Sequence, residues 1–310
     1  MAGQALQVEQ SAAAGAPLTE PSLIKLDFVP PAPQLAPFVT TFYHFHCAEQ
    51  VLRDMIPAGV GYLVVVLRGT GVMTFADGRR EQADPVALQT PSTHAAMLDA
   101  TGPVQLFAAT LSPLGWMALT GLDADRSANR LLDARTVLGD DVDALAAGLR
   151  AAVKAGAPDS ALAEIMSAFI APRLRPLNPR HVALVKQVGD WLSASFDPPL
   201  DELREAAGYS LRQVERLVRR YFGVAPRLLV RKYRIMRVAA LLQAPDTGPE
   251  QIAELLNLFY DQSHFIREMR LFMGRTPTAL AGEGDSILGQ MSGMRVYREV
   301  KPNFARLPGD

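Results

Sequence analysis

The sequence predicts an α+β fold in which a strand-rich N-terminal half precedes an all-α C-terminal domain. Three features point to it. Short runs of strand length, VTTFYHFHC, GYLVVVL, GVMTF and VQLFAATL, fall between residues 37 and 111, with the Asp-Gly hairpin signal ADGR at 76–79. From about residue 136 the apolar period becomes helical. Beyond the proline-rich APRLRPLNP at 171–179 only helical patterns occur, and two segments there repeat one design.

Taken in order, residues 1–20 are rich in Ala, Gly and Gln without apolar periodicity and are expected to form a disordered arm. Residues 21–170 make a first domain, a small barrel or sandwich followed by two helical stripes: Leu138, Val142, Leu145 and Leu149, then Leu162, Ile165, Met166 and Phe169. The first stripe suits packing on the barrel or on a second subunit. Residues 171–177 read as a linker. In the second domain, 178–282, Asn178-Pro179 starts a helix whose buried face holds Val185, Val188, Trp191 and Leu192. LDELREAA stops at Gly208, and Ser210 with Gln213 forms a capping box for a third helix that ends at Gly223. Asp261 and Gly274 bracket a later helix in the same way. Residues 283–310 are a C-terminal tail.

Composition narrows the function. The chain has 310 residues, 49% hydrophobic and 20% charged, which suits two globular domains. Its longest apolar run is far short of a membrane span and the N-terminus has no export pattern, so a cytoplasmic protein is expected. A single cysteine, Cys47, excludes an internal disulfide framework. The net charge of −1 hides an uneven distribution, with 12 Lys+Arg against 17 Asp+Glu in residues 1–177 but 15 against 11 in residues 178–282. Seven of the basic residues cluster: Arg216, Arg219, Arg220, Arg227, Arg231, Lys232 and Arg234. A solvated helical face is the ordinary meaning of such a run, and a nucleic-acid surface the sharper one.

The repeat decides between them. REAAGYSLRQVERLVRRYFGVAP and AELLNLFYDQSHFIREMRLFMGRTP share a short helix, a tight turn, a polar N-cap, an outward Arg, an aromatic before Gly, and a Pro three residues after that Gly. Each reads as a helix-turn-helix. PRLLVRKYRIMRVAALLQ, 226–243, lies between them as a helix of about 27 Å, which with its flanks approaches the ~34 Å between successive major-groove faces.

On FYDQSHFIRE followed by GRTP, and on the earlier copy of that design, residues 178–282 resemble the DNA-binding domain of the AraC/XylS family of bacterial transcription regulators. IPAGVGYLVVVLRG and LSPLGWMALTG resemble, more loosely, the cupin-like regulatory domains fused to such proteins. The implied architecture is a cupin-like β-barrel with flanking helices for sensing and dimerisation, then two helix-turn-helix modules on a long helix. The resemblance implies base contacts from Arg212, Glu215 and Arg216 in the first module and from Gln262, Ser263 and Arg267 in the second. It places Ser210, Arg219, Arg220, His264 and Arg270 at phosphates. The implied partners are double-stranded DNA, RNA polymerase and a small-molecule effector, with a homodimer as the assembly and no membrane. Leu258 stands where that family usually has Gly in the second turn, so it either takes a positive φ or reshapes the turn. Met269 replaces a usual aromatic.

HFHCAE resembles the metal-binding strand of cupin enzymes, and alternation puts His44 and His46 on one face. Their aromatic neighbours favour core packing over metal ligation. His44, His46, Arg53 and Arg68 are the candidate effector contacts, the arginines suiting an anion. No Ser/His/Asp order, phosphate loop or usable carboxylate pair appears, so neither catalytic residues nor a cofactor are expected. The alternatives to an effector-controlled regulator are a cupin-type metal-dependent enzyme with a DNA-localising domain, and a ligand-independent regulator.

Overall fold

Strand pairing organises the first half of the computed structural model, which describes residues 18–243 and 256–282. The arm expected over 1–20 falls outside the described residues up to 17, and the tail over 283–310 does so entirely. Within residues 18–20, Thr19 exchanges two hydrogen bonds with the backbone of Arg53. The strands are β1 (Ile24–Val29), β2 (Val39–Cys47), β3 (Val51–Ile56), β4 (Gly61–Thr74), β5 (Arg80–Gln82), β6 (Val86–Gln89), β7 (Ala96–Leu111) and β8 (Leu131–Asp133). They pair antiparallel in the order β1-β2-β7-β4-β6-β8, with β3 also on β7 and β5 also on β4.

GYLVVVL and all of GVMTF but its final Phe75, separate runs in the sequence, form one 14-residue strand, and VQLFAATL is half of the 16-residue β7. The register between these strands slips around Arg68 and resumes at Thr70↔Thr101. Gly69, at φ 86°, occupies the slip, where a Cβ would come within 2.8 Å of the Thr101 carbonyl. This bulge bends both strands. Their far halves, with β3 and β5, face their near halves across an interior cavity.

The outer face of the near half carries Phe42, Leu63, Val65 and Phe107, and helices cover it. These are α1 (Pro113–Thr120), α2 (Ala124–Ser127), α3 (Arg135–Leu138), α4 (Asp141–Lys154) and α5 (Asp159–Ile170). Val142, Leu145 and Leu149 of α4 pack into the sheet with Leu162, Met166 and Phe169 of α5, so the first helical stripe serves the barrel.

After a 3₁₀ turn at Ala171–Arg173 the chain is tied to α1 by a hydrogen bond from the Arg175 N–H to the Ala118 carbonyl, 2.9 Å. The helical domain follows as α6 (Pro179–Ala194), α7 (Leu200–Ala207), α8 (Leu211–Phe222), α9 (Pro226–Gln243), α10 (Gln262–Met273) and α11 (Pro277–Gly282). Val188, Trp191, Val214, Leu217, Ile235, Met236, Phe265, Met269 and Phe272 share one core, and Ala58, Leu114 and Met117 of the first half belong to it. The two halves are thus joined by a continuous apolar contact.

Candidate nucleic-acid interface and effector cavity

The two candidate reading helices are built alike. Each has 12 residues, α8 capped by Ser210 and α10 by Asp261, whose carboxylate accepts from the His264 N–H at 2.7 Å. In α8 the Gln213 side chain also accepts from the Ser210 N–H at 3.1 Å, completing the capping box. Gly223 and Gly274 end the helices with φ of 80° and 71°, values that only glycine reaches without strain. The short helix expected before the second turn begins at 253, and its residues 253–255 lie outside the described residues.

Burial separates the two faces. Val214, Leu217 and Val218 are buried on α8, while Arg212, Arg216 and Arg219 are exposed and Glu215 is half-buried. On α10, Phe265, Met269 and Phe272 are buried and Gln262, Ser263, Arg267 and Arg270 are exposed. Tyr260, beside the start of α10, is 95% exposed. Five of the six residues expected at base edges therefore lie on the open sides of two helices, Glu215 being half-buried. Ser210 is exposed but engaged as a cap, and His264 is half-buried, with its Nε2 3.5 Å from the Glu268 carboxylate.

The basic cluster does not survive as one surface. Arg216, Arg219 and Arg227 are exposed. Arg220 instead faces Asp123 of the first half, Nε to Oδ1 2.8 Å. Arg231 donates to the buried carboxylate of Glu268 at 2.5 Å, and Arg234 lies 3.6 Å from its other oxygen, so both arginines fasten α9 to α10. Lys232 is buried, and its ammonium donates to the Gly59 and Ser92 carbonyls at 3.0 and 3.2 Å. Sequence periodicity showed that α9 was a helix, but its neighbours decide which side each charge takes.

Leu258 settles its own alternative. Among the described residues Asn129 is the one non-glycine with positive φ, so Leu258 does not take the left-handed conformation. The turn is reshaped: the Phe259 N–H donates to the Leu256 carbonyl at 3.1 Å, and the Leu258 side chain packs against the helical core. Met269 is fully buried in that core.

The candidate effector contacts are dispersed, and none of the four lines the cavity. Alternation along β2 sends Tyr43 and Phe45 into the cavity and His44 and His46 to the opposite face, under α5. There the His44 Nδ1 lies 2.6 Å from the Asp159 carboxylate and its Nε2 lies 3.0 Å from the Gln105 amide nitrogen. Both ring nitrogens are thereby engaged, one against the carboxylate and the other against the amide. Burial, then the neighbouring His44, lowers the pKa of His46. Among the described residues no three His, Cys, Asp or Glu side chains converge as metal ligands. Arg53 pairs with Asp99 at 3.4 Å, and Arg68 is exposed beside the bulge.

The cavity itself is about 110 Å³ and overwhelmingly apolar. Val64, Val66, Met73, Leu98 and Leu106 supply much of its wall, with Tyr43, Tyr62, Thr70 and Gln89 as its polar members and no charged side chain. The anionic effector suited to Arg53 and Arg68 therefore has no counterpart there. The alternation that gave His44 and His46 a common face gave Tyr43 and Phe45 the other one, and the aromatic pair was the one to follow inward.

Sequence reasoning also missed the contacts between the halves. Arg275 of the GRTP stretch donates to the Asp54 carboxylate of β3, both side chains being almost fully buried. Burial is the largest influence on Asp54 and raises its pKa, against the pull of the Arg275 guanidinium. The last carbonyls of a helix lack intrahelical donors, and here strand-domain amides meet two of them. Ala95 N–H donates to Leu271 O at 2.9 Å and Ala58 N–H to Phe272 O at 2.7 Å. A lone Asp in the apolar strand VLRDMI was the visible sign that something must neutralise it.

Comparison with known proteins bears on the helical half. Residues 203–282 match the sequence model of a helix-turn-helix domain. No curated protein matches the chain. Among solved structures it is similar to an apo form of ToxT, a single-substitution variant from Vibrio cholerae strain SCE256, at 10% identity and a TM-score of 0.43, covering 75% of this chain and 97% of that one. It is also similar to unsaturated fatty acid bound wild-type ToxT from the same strain, at 12% identity and a TM-score of 0.44, covering 77% and 94%. The AraC-like transcriptional activator CuxR matches at 11% identity and a TM-score of 0.29, covering 69% and 86%.

Proposed function

From the premise that the C-terminal region carries a helix-turn-helix domain of the AraC type, we propose that the chain is a sequence-specific DNA-binding transcription regulator controlled by a small molecule in its strand domain. The observation that carries this reading is the matched pair of capped helices, α8 and α10, with open arginine-bearing faces on either side of the 18-residue α9. Arg212, Glu215 and Arg216 of α8 and Gln262, Ser263 and Arg267 of α10 read base edges. Arg219 and Arg270 meet phosphates, and Arg220 does so once it leaves Asp123.

The effector is uncharged and largely apolar, because the cavity offers no charged partner and burying an unpaired charge is costly. Its few polar groups meet Tyr43, Tyr62 or Gln89. Binding shifts the population of DNA-competent arrangements by its different affinity for the two states. Selection of duplexes from a random pool by the full chain tests the reading: enrichment of a defined site, with affinity falling steeply as salt rises, supports it. Failure to enrich any site removes it.

A further inference from the structure

One stretch of the cavity wall is not held by the sheet. Between the end of β3 at Ile56 and the start of β4 at Gly61, residues Pro57, Ala58 and Gly59 border the cavity. The other walls are nearly all ladder-bonded strands. Pro57 has no N–H, and of the groups that follow two bond to the helical domain, while Gly59 also exchanges bonds with Ser92 beside it, its carbonyl accepting from the Ser92 N–H at 3.0 Å. The Ala58 N–H goes to Phe272 O of α10, and Gly59 O accepts from Lys232 of α9. The Gly59 N–H goes to Ser92 Oγ at 2.8 Å, and the Ser92 carbonyl accepts from the same Lys232. Just before this stretch, Asp54 pairs with Arg275. Residues 56–59 therefore have the cavity on one side and the second reading module on the other.

We propose that the β3–β4 connection couples cavity occupancy to docking of the second helix-turn-helix module, an effector larger than a single small ring pushing the connection outward and releasing α10 from the strand domain. This rests on the reading that the cavity is the effector site. The size of the cavity sets the direction. An apolar cavity of about 150 Å³ holds benzene, so one of 110 Å³ must widen for anything larger. The wall without ladder bonds yields first. Release frees α10 to adjust its spacing and angle to α8 on DNA. By linkage, loosening the docking must also tighten effector binding by the same factor.

Naphthalene serves as the probe, on the full chain. Its binding is followed by calorimetry, and amide exchange of residues 54–60, 92–98 and 268–276 is followed by mass spectrometry with and without it. Binding that is lost in Ala100→Phe, which fills the cavity, together with faster exchange in all three segments, is the expected result. Arg275→Met should bind naphthalene at least about fivefold more tightly, and Lys232→Met gives the same comparison if the first variant does not fold. Ala100→Phe alone should speed the same exchange. Absence of naphthalene binding overturns the effector reading and the coupling with it. Binding that leaves exchange unchanged, or affinity that does not rise in the docking variants, overturns the coupling while the effector site stands.

Discussion

Arg220 of α8 and Asp123 of the strand domain face each other across the boundary between the two halves, 2.8 Å apart. A charge expected at the DNA backbone is thus held by a carboxylate of the same chain. Asp123→Asn should release Arg220, tighten binding to matched and scrambled duplex alike, and steepen the salt dependence by about one unit. Fluorescence anisotropy at several salt concentrations measures both. Unchanged slopes would mean that Arg220 stays off the backbone.

Arg216 is exposed one turn beyond Arg212 and has the reach to bond guanine O6 and N7 together. Arg216→Ala should weaken matched DNA by about 1–3 kcal/mol and leave scrambled DNA nearly unaffected. Arg219→Ala, which removes an exposed charge, should weaken both. Equal losses on both duplexes for Arg216→Ala would contradict the assigned register of α8.

The reshaped turn at Leu258 reverses the sense of one substitution. Without a positive φ to relieve, Leu258→Gly adds freedom to the unfolded chain and removes a side chain from the helical core. A loss of about 1 kcal/mol or more in urea unfolding is expected. A gain in stability would show that the turn is strained after all.

Glu268 is 2% exposed and holds Arg231 and Arg234 against α10. Glu268→Ala should cost about 2–3 kcal/mol, less than the ~3–5 of a fully buried pair because the Arg231 side chain is 43% exposed. Thermal unfolding of the variant measures it. A loss below about 0.5 kcal/mol would place this carboxylate with ordinary surface pairs.

Burial lowers the pKa of His46, His94 and His181, and His181 also feels Arg220, Arg216 and Arg180. The folded chain then binds fewer protons than the unfolded one between those lowered values and about 6.5. Stability should therefore fall as pH drops through that window. His94→Gln should lessen the decline, seen as a smaller difference between urea midpoints at pH 7.5 and 5. A midpoint that does not move over this range in the parent chain would contradict the shifts.

The helical half was legible because its evidence is local. Asn178, Ser210, Asp261, Gly208, Gly223 and Gly274 act within one turn of where they stand, and each caps or ends a helix as its residue type requires. The strand half was legible only as a class. β1 and β3 escaped notice, since IKLDFV and VLRDMI each carry charges in a short apolar run. The cavity lining depends on which face of β2 curls inward, and that follows from a bulge at Gly69, far along the chain from β2. The pairs Asp54–Arg275 and Asp123–Arg220 join residues remote in sequence, where no periodicity links them.

Two of the bonds between the halves, Ala58 to Phe272 and Ala95 to Leu271, run from main chain to main chain. A scan that trims side chains one at a time leaves both in place, and at positions 58 and 95 the residue is already alanine. Such a scan would pass over the boundary in silence at these points. Only a residue without an N–H removes such a bond. At these two points, then, any small residue that keeps its N–H keeps the bond, whatever its side chain.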